Sequence, residues 1–304
     1  MIFNFIIIHK FKKLLLQLLQ KPAENGIVFN IKGALTMSKI KYILCSAVMS
    51  AFLLYNAAEG ADKIQDNSFL LEEAYNQEDG VIQHIFVYQY LKKAKTWGLT
   101  FTQEWPVPDQ THQLSYTIPY SRVDDPEWKT GLGDIALNYR YQLVFKDNVA
   151  IAPRFSIILP TGDYKKGLGT DAVGFQVNLP VSVDISDKWV VHWNLGGTYT
   201  PDSKEPGGAK SDTVGMNFGA SAIYSISKKF NFMLESAWNS TEAVQTDGSK
   251  VREDSFFINP GFRYAIDFAS GLQVVPGISF PYGIGPSKGE YGALLYLSFE
   301  HPLF

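Results

Sequence analysis

The chain has 304 residues, a formal net charge of −3 and 14 % aromatic side chains. That length suits one large β-domain, and a charge so near neutral gives no reason to expect a nucleic-acid partner. The single cysteine, Cys45, excludes a disulfide framework.

Two apolar stretches come first. Residues 1–36 carry Phe5 to Ile8 and Leu14 to Leu19 around Lys10, Lys12 and Lys13. They read as a mis-assigned start, with a genuine extension as the rival, and are set aside from the fold. Residues 37–60 read as a secretory signal peptide. Lys39 and Lys41 form the basic start, Tyr42 to Leu54 the apolar run, and cutting after Gly60 puts the small Ala58 at minus three. The run is too short to favour a membrane anchor. Cys45 falls inside the signal, so the mature chain carries no thiol. Residues 61–79 do not alternate and form a leader or plug. Asp66-Asn67-Ser68 offers a cap for a short helix whose apolar face would be Leu70, Leu71, Ala74 and Tyr75. A flexible leader is the equal alternative.

From residue 80 onward the pattern changes to a period of two. Ile135, Leu137, Tyr139, Tyr141, Leu143 and Phe145 alternate with smaller or polar neighbours; Val173, Phe175, Val177, Leu179, Val181, Val183 and Ile185 do the same. That period sends each set to its own strand face. Twelve strands follow: 80–92, 96–107, 110–121, 132–146, 148–160, 172–186, 188–200, 212–227, 229–240, 254–268, 272–283 and 290–303. The polar face is small, made of Gly, Ala, Ser, Asn and Gln with few charges. The bulky apolar face is too large for the inside of a closed barrel, so it faces lipid around a polar interior. The predicted fold class is all-β, a transmembrane antiparallel up-and-down barrel of the bacterial outer membrane.

Connections alternate in length. Lys146-Asp147-Asn148, Ser186-Asp187-Lys188, Ser227-Lys228-Lys229 and Ala269-Ser270-Gly271 are tight turns, with longer loops between them. Short turns belong to the periplasmic side, and an even strand number returns the C-terminus there. Pro153, Pro180, Pro260 and Pro276 interrupt strands and predict bulges or a water-facing adjustment. Phe304 is off the parity of Leu295, Leu297 and Phe299, which predicts a bulge at His301-Pro302. The first strand is the poorest, because Ile85 and Val87 break its polar face.

Gly131-Leu132-Gly133-Asp134, followed by Leu159-Pro160-Thr161-Gly162-Asp163, resembles the outer-membrane family named for the meta-pathway of phenol degradation. Asn67 to Glu78 resembles the mature start of a related transporter-like group. The resemblance covers about residues 66–304. It implies a barrel and passage of small, aromatic or apolar compounds, and brings no catalytic residues.

Catalytic signatures are weak by comparison. Gly131-x-Gly133 and Gly167-x-Gly169 lack the helix and the Gly-Lys-Ser/Thr sequence that phosphate loops need. An outer-membrane lipid hydrolase needs a His-x-Ser pair. None of His84, His112, His192 and His301 has Ser at plus two. Those histidines are scattered, which predicts no metal site; Asp124, Asp125 and Glu127 read as a solvated loop rather than a calcium site.

Strand parity turns Glu104, Arg140, Arg154, Asp184, His192, Glu235, Arg263 and Asp267 to the interior, and reflection across Asp147 sets Arg140 opposite Arg154. Glu104, Asp184 and Glu235 are the candidate counter-charges. The group is either a charged constriction that selects solutes or a salt-bridge network that fills the barrel. The functional reading is passive passage of small solutes through the lumen or through a wall opening near a proline bulge. The partners are membrane lipid and a small solute; no cofactor is implied and no oligomer contact is marked. The alternatives are a closed structural or loop-binding barrel and, third, a lipid hydrolase.

Overall fold

The computed structural model describes residues 64, 66–124 and 127–303. The expected start segment, signal peptide and Cys45 lie outside the described residues, as do Asp125 and Phe304. Among the described residues no helix is long and apolar enough to cross a membrane; the crossing elements are strands.

Twelve antiparallel strands close into a barrel. They are β1 (Val81–Leu91), β2 (Thr96–Pro106) and β3 (His112–Asp124). Next come β4 (Trp128–Leu132, Ile135–Tyr141 and Val144–Lys146), β5 (Val149–Ile151 and Arg154–Leu159) and β6 (Gly174–Ser186). They are followed by β7 (Trp189–Lys204), β8 (Lys210–Ser227) and β9 (Phe230–Val244). The last are β10 (Lys250–Tyr264 and Ile266–Asp267), β11 (Gln273–Ser279 and Tyr282–Gly283) and β12 (Gly292–Pro302). Each pairs with the next, and β12 returns to β1 from Val81↔Pro302 to Leu91↔Gly292. Closure leaves no unpaired edge, as a wall in lipid requires.

Exposure is inverted relative to a water-soluble sheet. Leu195 is 61 % exposed and Val177 56 %, while Arg263 is 1 % and Glu235 0 %. The apolar side of the wall therefore points outward and the charges inward.

The sheet departs from the sequence pattern in four places. First, β7 to β10 run past the apolar alternation, with Thr241↔Glu253 and Val244↔Lys250 in register and Lys204↔Lys210 paired after a one-residue shift between Thr200 and Ser203. The long loops expected there shrink to turns such as Gln245–Ser249, where the Ser249 carbonyl accepts the Gln245 N–H. Above the bilayer, backbone pairing continues while nothing selects apolar side chains. Second, of the four prolines only Pro153 sits at a break. The register changes by one between Arg140↔Arg154 and Val144↔Ile151. Asn194↔Pro180, Leu234↔Pro260 and Pro276↔Leu297 stay in line. Third, β12 holds its register through His301 and Pro302, without a bulge. Fourth, the described leader contains no helix; its backbone donors are taken by the wall instead.

The interior is not wholly polar either. Ile85 packs with Phe69, Val190, Ile223, Met233, Leu294 and Tyr296 in a buried cluster. Ile85 breaks the polar face of β1 because the leader's Phe69 covers it. The motif residues form a latch at the long-loop rim. Asp134 Oδ1 accepts the Gly162 N–H at 2.9 Å, and its Oδ2 accepts the Thr170 N–H at 2.9 Å. A Cβ at Gly169 would lie 2.5 Å from Asp134 Oδ1, so only glycine admits the carboxylate.

Candidate functional site: the leader, the lumen and the wall beside Pro153

Residues 66–79 enter from the tight-turn rim, reach their apex at Leu70–Glu72 and descend to β1. The chain is extended, and its alternate amides are held by wall side chains. Leu70 N donates to Glu235 Oε1 at 3.0 Å, Glu72 N to Asn194 Oδ1 at 2.9 Å and Ala74 N to Ser182 Oγ at 2.8 Å. Asn76 N donates to Gln142 Oε1 at 2.9 Å and Gln77 N to Gln113 Oε1 at 2.7 Å. A helix would have needed those donors for itself. Interior glycines clear space for the leader's apolar side chains. A Cβ on Gly261 or Gly277 would lie 2.5 Å from the Phe69 ring, and one on Gly219 would collide with Leu71.

The interior arginines serve this segment. Arg140 donates to Asn76 Oδ1 (2.8 Å) and to the carbonyls of Glu73 (3.1 Å) and Tyr75 (2.6 Å). Arg263 holds the carbonyls of Ile64, Asp66 and Asn67 at 2.9–3.1 Å. Arg154 is bidentate on Glu72, with Nε to Oε2 at 2.9 Å and Nη2 to Oε1 at 2.7 Å. Arg140 does face Arg154 in register; the carboxylate that separates their charges is Glu72, and Glu104 lies 3.9 Å from Arg140.

Of the remaining interior candidates, Glu104, Glu235 and His192 are buried. Ser182 accepts the Ala74 N–H and its hydroxyl is hydrogen-bonded to His192 Nδ1 at 2.7 Å. Asp184 is half-buried near the tight-turn rim, where Tyr75 Oη reaches it at 3.5 Å. Asp267 keeps the parity of Arg263 but lies at the rim, beyond the leader, where it is exposed and ion-pairs with Lys229 at 3.0 Å. Sequence parity missed the leader's own acids. Burial raises the Glu72 carboxyl, but the Arg154 charge and hydrogen bonds outweigh it and hold it below its ordinary value. Burial, with the Asp66 charge second, pushes Glu73 well above its ordinary value. Burial also raises Asp66, against the pull of Arg263.

Cavities stand against the leader's apex. Two cavities of about 460 and 430 Å³ share Leu70, Leu71, Glu72, Arg154 and Gln176. A third, of about 370 Å³, lies on the outer wall among Tyr139, Tyr141, Phe155, Val177, Leu179 and Leu195, with Pro153, Arg154 and Asn178 also in its lining. The wall is thin in bonds there. Tyr141 N donates to Pro153 O and Ala152 N to Pro180 O. Neither proline has an N–H to return the second bond of the pair.

A family model described as "Putative MetA-pathway of phenol degradation" matches residues 80–281. The chain belongs to that family. No curated protein matches it. An outer membrane channel from Pseudomonas putida F1 shares the fold at 14 % identity and a TM-score of 0.56, covering 75 % of this chain and 97 % of that one. The NanC porin aligns at 9 % identity, TM-score 0.48, over 72 % of this chain and all of that one. The CymD monoaromatic hydrocarbon channel aligns at 10 % identity, TM-score 0.40, over 75 % and 90 %. With the closed twelve-strand barrel and its outward apolar face, the family member is a bacterial outer-membrane protein.

Proposed function

We propose that this protein is an outer-membrane channel for passive passage of small solutes, occluded on its periplasmic side by residues 66–79. One observation carries the reading. The occluding segment is no part of the strand ladder, and wall side chains hold it by hydrogen bonds and ion pairs. It can leave without opening the barrel, and cavities already stand against it. Arg140, Arg154, Glu235, His192 and Arg263 act in this reading as anchors of the segment, with Glu104 as a counter-charge. That favours the space-filling network over the charged constriction.

The weakened wall at Pro153 supports a second exit, sideways into the membrane, for solutes that are apolar or aromatic. The test is uptake into liposomes and conductance in planar bilayers, for the full chain and for a variant in which Glu72 and Asn76 are both replaced by Ala. Passage that rises when the segment is loosened supports the channel. A folded barrel that passes neither ions nor solutes in either form supports the closed structural barrel instead.

A further inference from the structure

We propose that the larger cavity against the leader's apex is a binding site for a small neutral ring bearing hydroxyl groups. The inference rests on the channel reading and names its solute class.

The lining carries both charge signs but no net charge. Its one cation, Arg154, is bidentate on its one anion, Glu72, and Asn178 Nδ2 adds a third contact to Glu72 at 3.1 Å. An anionic solute would find no free cation there, and a cationic one no free carboxylate. Around that pair stand six carboxamides: Gln89, Gln176, Asn178, Asn194, Asn217 and Asn239. Each offers donors and an acceptor without charge.

The carboxamides fall into two groups. Asn194 and Asn178 are engaged with Glu72, and Gln176 bridges Arg154 and Thr198. Asn239 is exposed and Gln89 half-buried; both line the cavity and make no side-chain hydrogen bond among the described residues. Asn217 reaches only Asn178, at 3.5 Å. These three are free to meet a ligand that both donates and accepts, as a hydroxyl does. Phe257, Leu70 and Leu71 supply apolar surface in the same cavity for the face of a ring. A bare hydrocarbon would strip water from the carboxamides and return no bonds. The volume, about 460 Å³, lies within the range of small-molecule sites.

The neutral hydroxylated ring has two sources, a monosaccharide or an aromatic diol, and the experiment separates them. The folded full chain in detergent micelles is titrated by calorimetry with glucose, catechol, toluene and gluconate. Saturable binding is expected for glucose or catechol, with toluene and gluconate giving none. Asn239→Leu and Gln89→Leu, neither of which touches the Arg154–Glu72 pair, each weaken that binding about tenfold, the effect of one lost hydrogen bond. A variant that fails to fold is replaced by Asn217→Ala, which removes the amide and adds no bulk.

Toluene or gluconate binding more tightly than both diol and sugar overturns the proposal. So does binding unmoved by the variants, or the absence of saturable heat from either hydroxylated ring. These outcomes are distinct from failure of the channel reading, which shows as absent conductance and absent uptake whatever the calorimetry gives.

Discussion

Glu72→Ala tests how firmly the leader is held. The substitution removes the carboxylate from Arg154 and leaves the guanidinium with Asn138, Ser156 and Gln176. Breaking a fully buried ion pair from one side costs about 3–5 kcal/mol, whereas an exposed pair contributes about 0–1 kcal/mol. Here the side chains are 13 % and 29 % exposed, so the cost falls between, at about 2 kcal/mol. That cost falls on docking of the leader, because the barrel ladder is unchanged. It corresponds to about a 30-fold rise in the undocked population. Hydrogen exchange reads it directly. The Leu70 and Ala74 amides, held by Glu235 and Ser182, should exchange about 30-fold faster, while the β8–β9 ladder amides keep their protection. Adding Arg154→Met should recover part of the loss, since the unpaired charge is then gone. Unchanged exchange at Leu70 and Ala74, or equal acceleration in β8 and β9, would refute the account of the pair as the leader's clasp.

Other perturbations follow from the same geometry. Arg140→Ala removes a 2 %-exposed cation that holds the Glu73 and Tyr75 carbonyls and Asn76. A cost of about 3–5 kcal/mol should make residues 73–77 open to protease in an otherwise folded barrel. Gly219→Leu puts a side chain where Leu71 sits; the apex should be expelled and conductance should rise, with heat-modifiable mobility on gels still reporting a folded barrel. Val177→Arg places a charge on the lipid face and should cost about 2–4 kcal/mol in refolding into bilayers if it lies at mid-depth. Glu73 prefers its neutral form in the folded site, so its contribution is complete below its ordinary value of 4.5 and is lost as pH rises through its raised value. Glu73→Gln should remove that alkaline loss in leader exchange measured from pH 5 to 9 (roughly the span where carboxylates raised this way titrate).

What could be read in advance followed from the solvent each residue faces. Lipid demands an apolar side chain at every second position, so the alternation of Val173 to Ile185 or Ile135 to Phe145 announced a strand and its greasy face. The strand ends on the long-loop side escaped, because outside the bilayer Ser203, Glu242 and Arg252 pair as well as any apolar residue. Pro180, Pro260 and Pro276 were over-read. A proline breaks register only where its neighbours also shift, as at Pro153.

The interior was legible by side but not by partner. Parity turned Arg140, Arg154, Glu235 and Arg263 inward, opposed the first two and named Glu104, which lies 3.9 Å from Arg140, yet it missed the carboxylate that binds Arg154. Glu72 is 82 residues from Arg154 along the chain, in a segment with no alternation to orient it. Amphipathic spacing in that segment suggested a helix, because helix and extended chain compete for the same amide protons and only the barrel supplies the acceptors that decide it.

The sequence by itself determined that this chain is a barrel, how many times it crosses and which face meets lipid, because the bilayer acts on each residue locally. Tertiary structure alone decided what fills the barrel. Arg140, Asn194 and Ser182 became anchors rather than pore lining only when closure of the sheet brought them around residues 66–79. Nothing local in the sequence encodes which backbone a side chain will meet across a lumen.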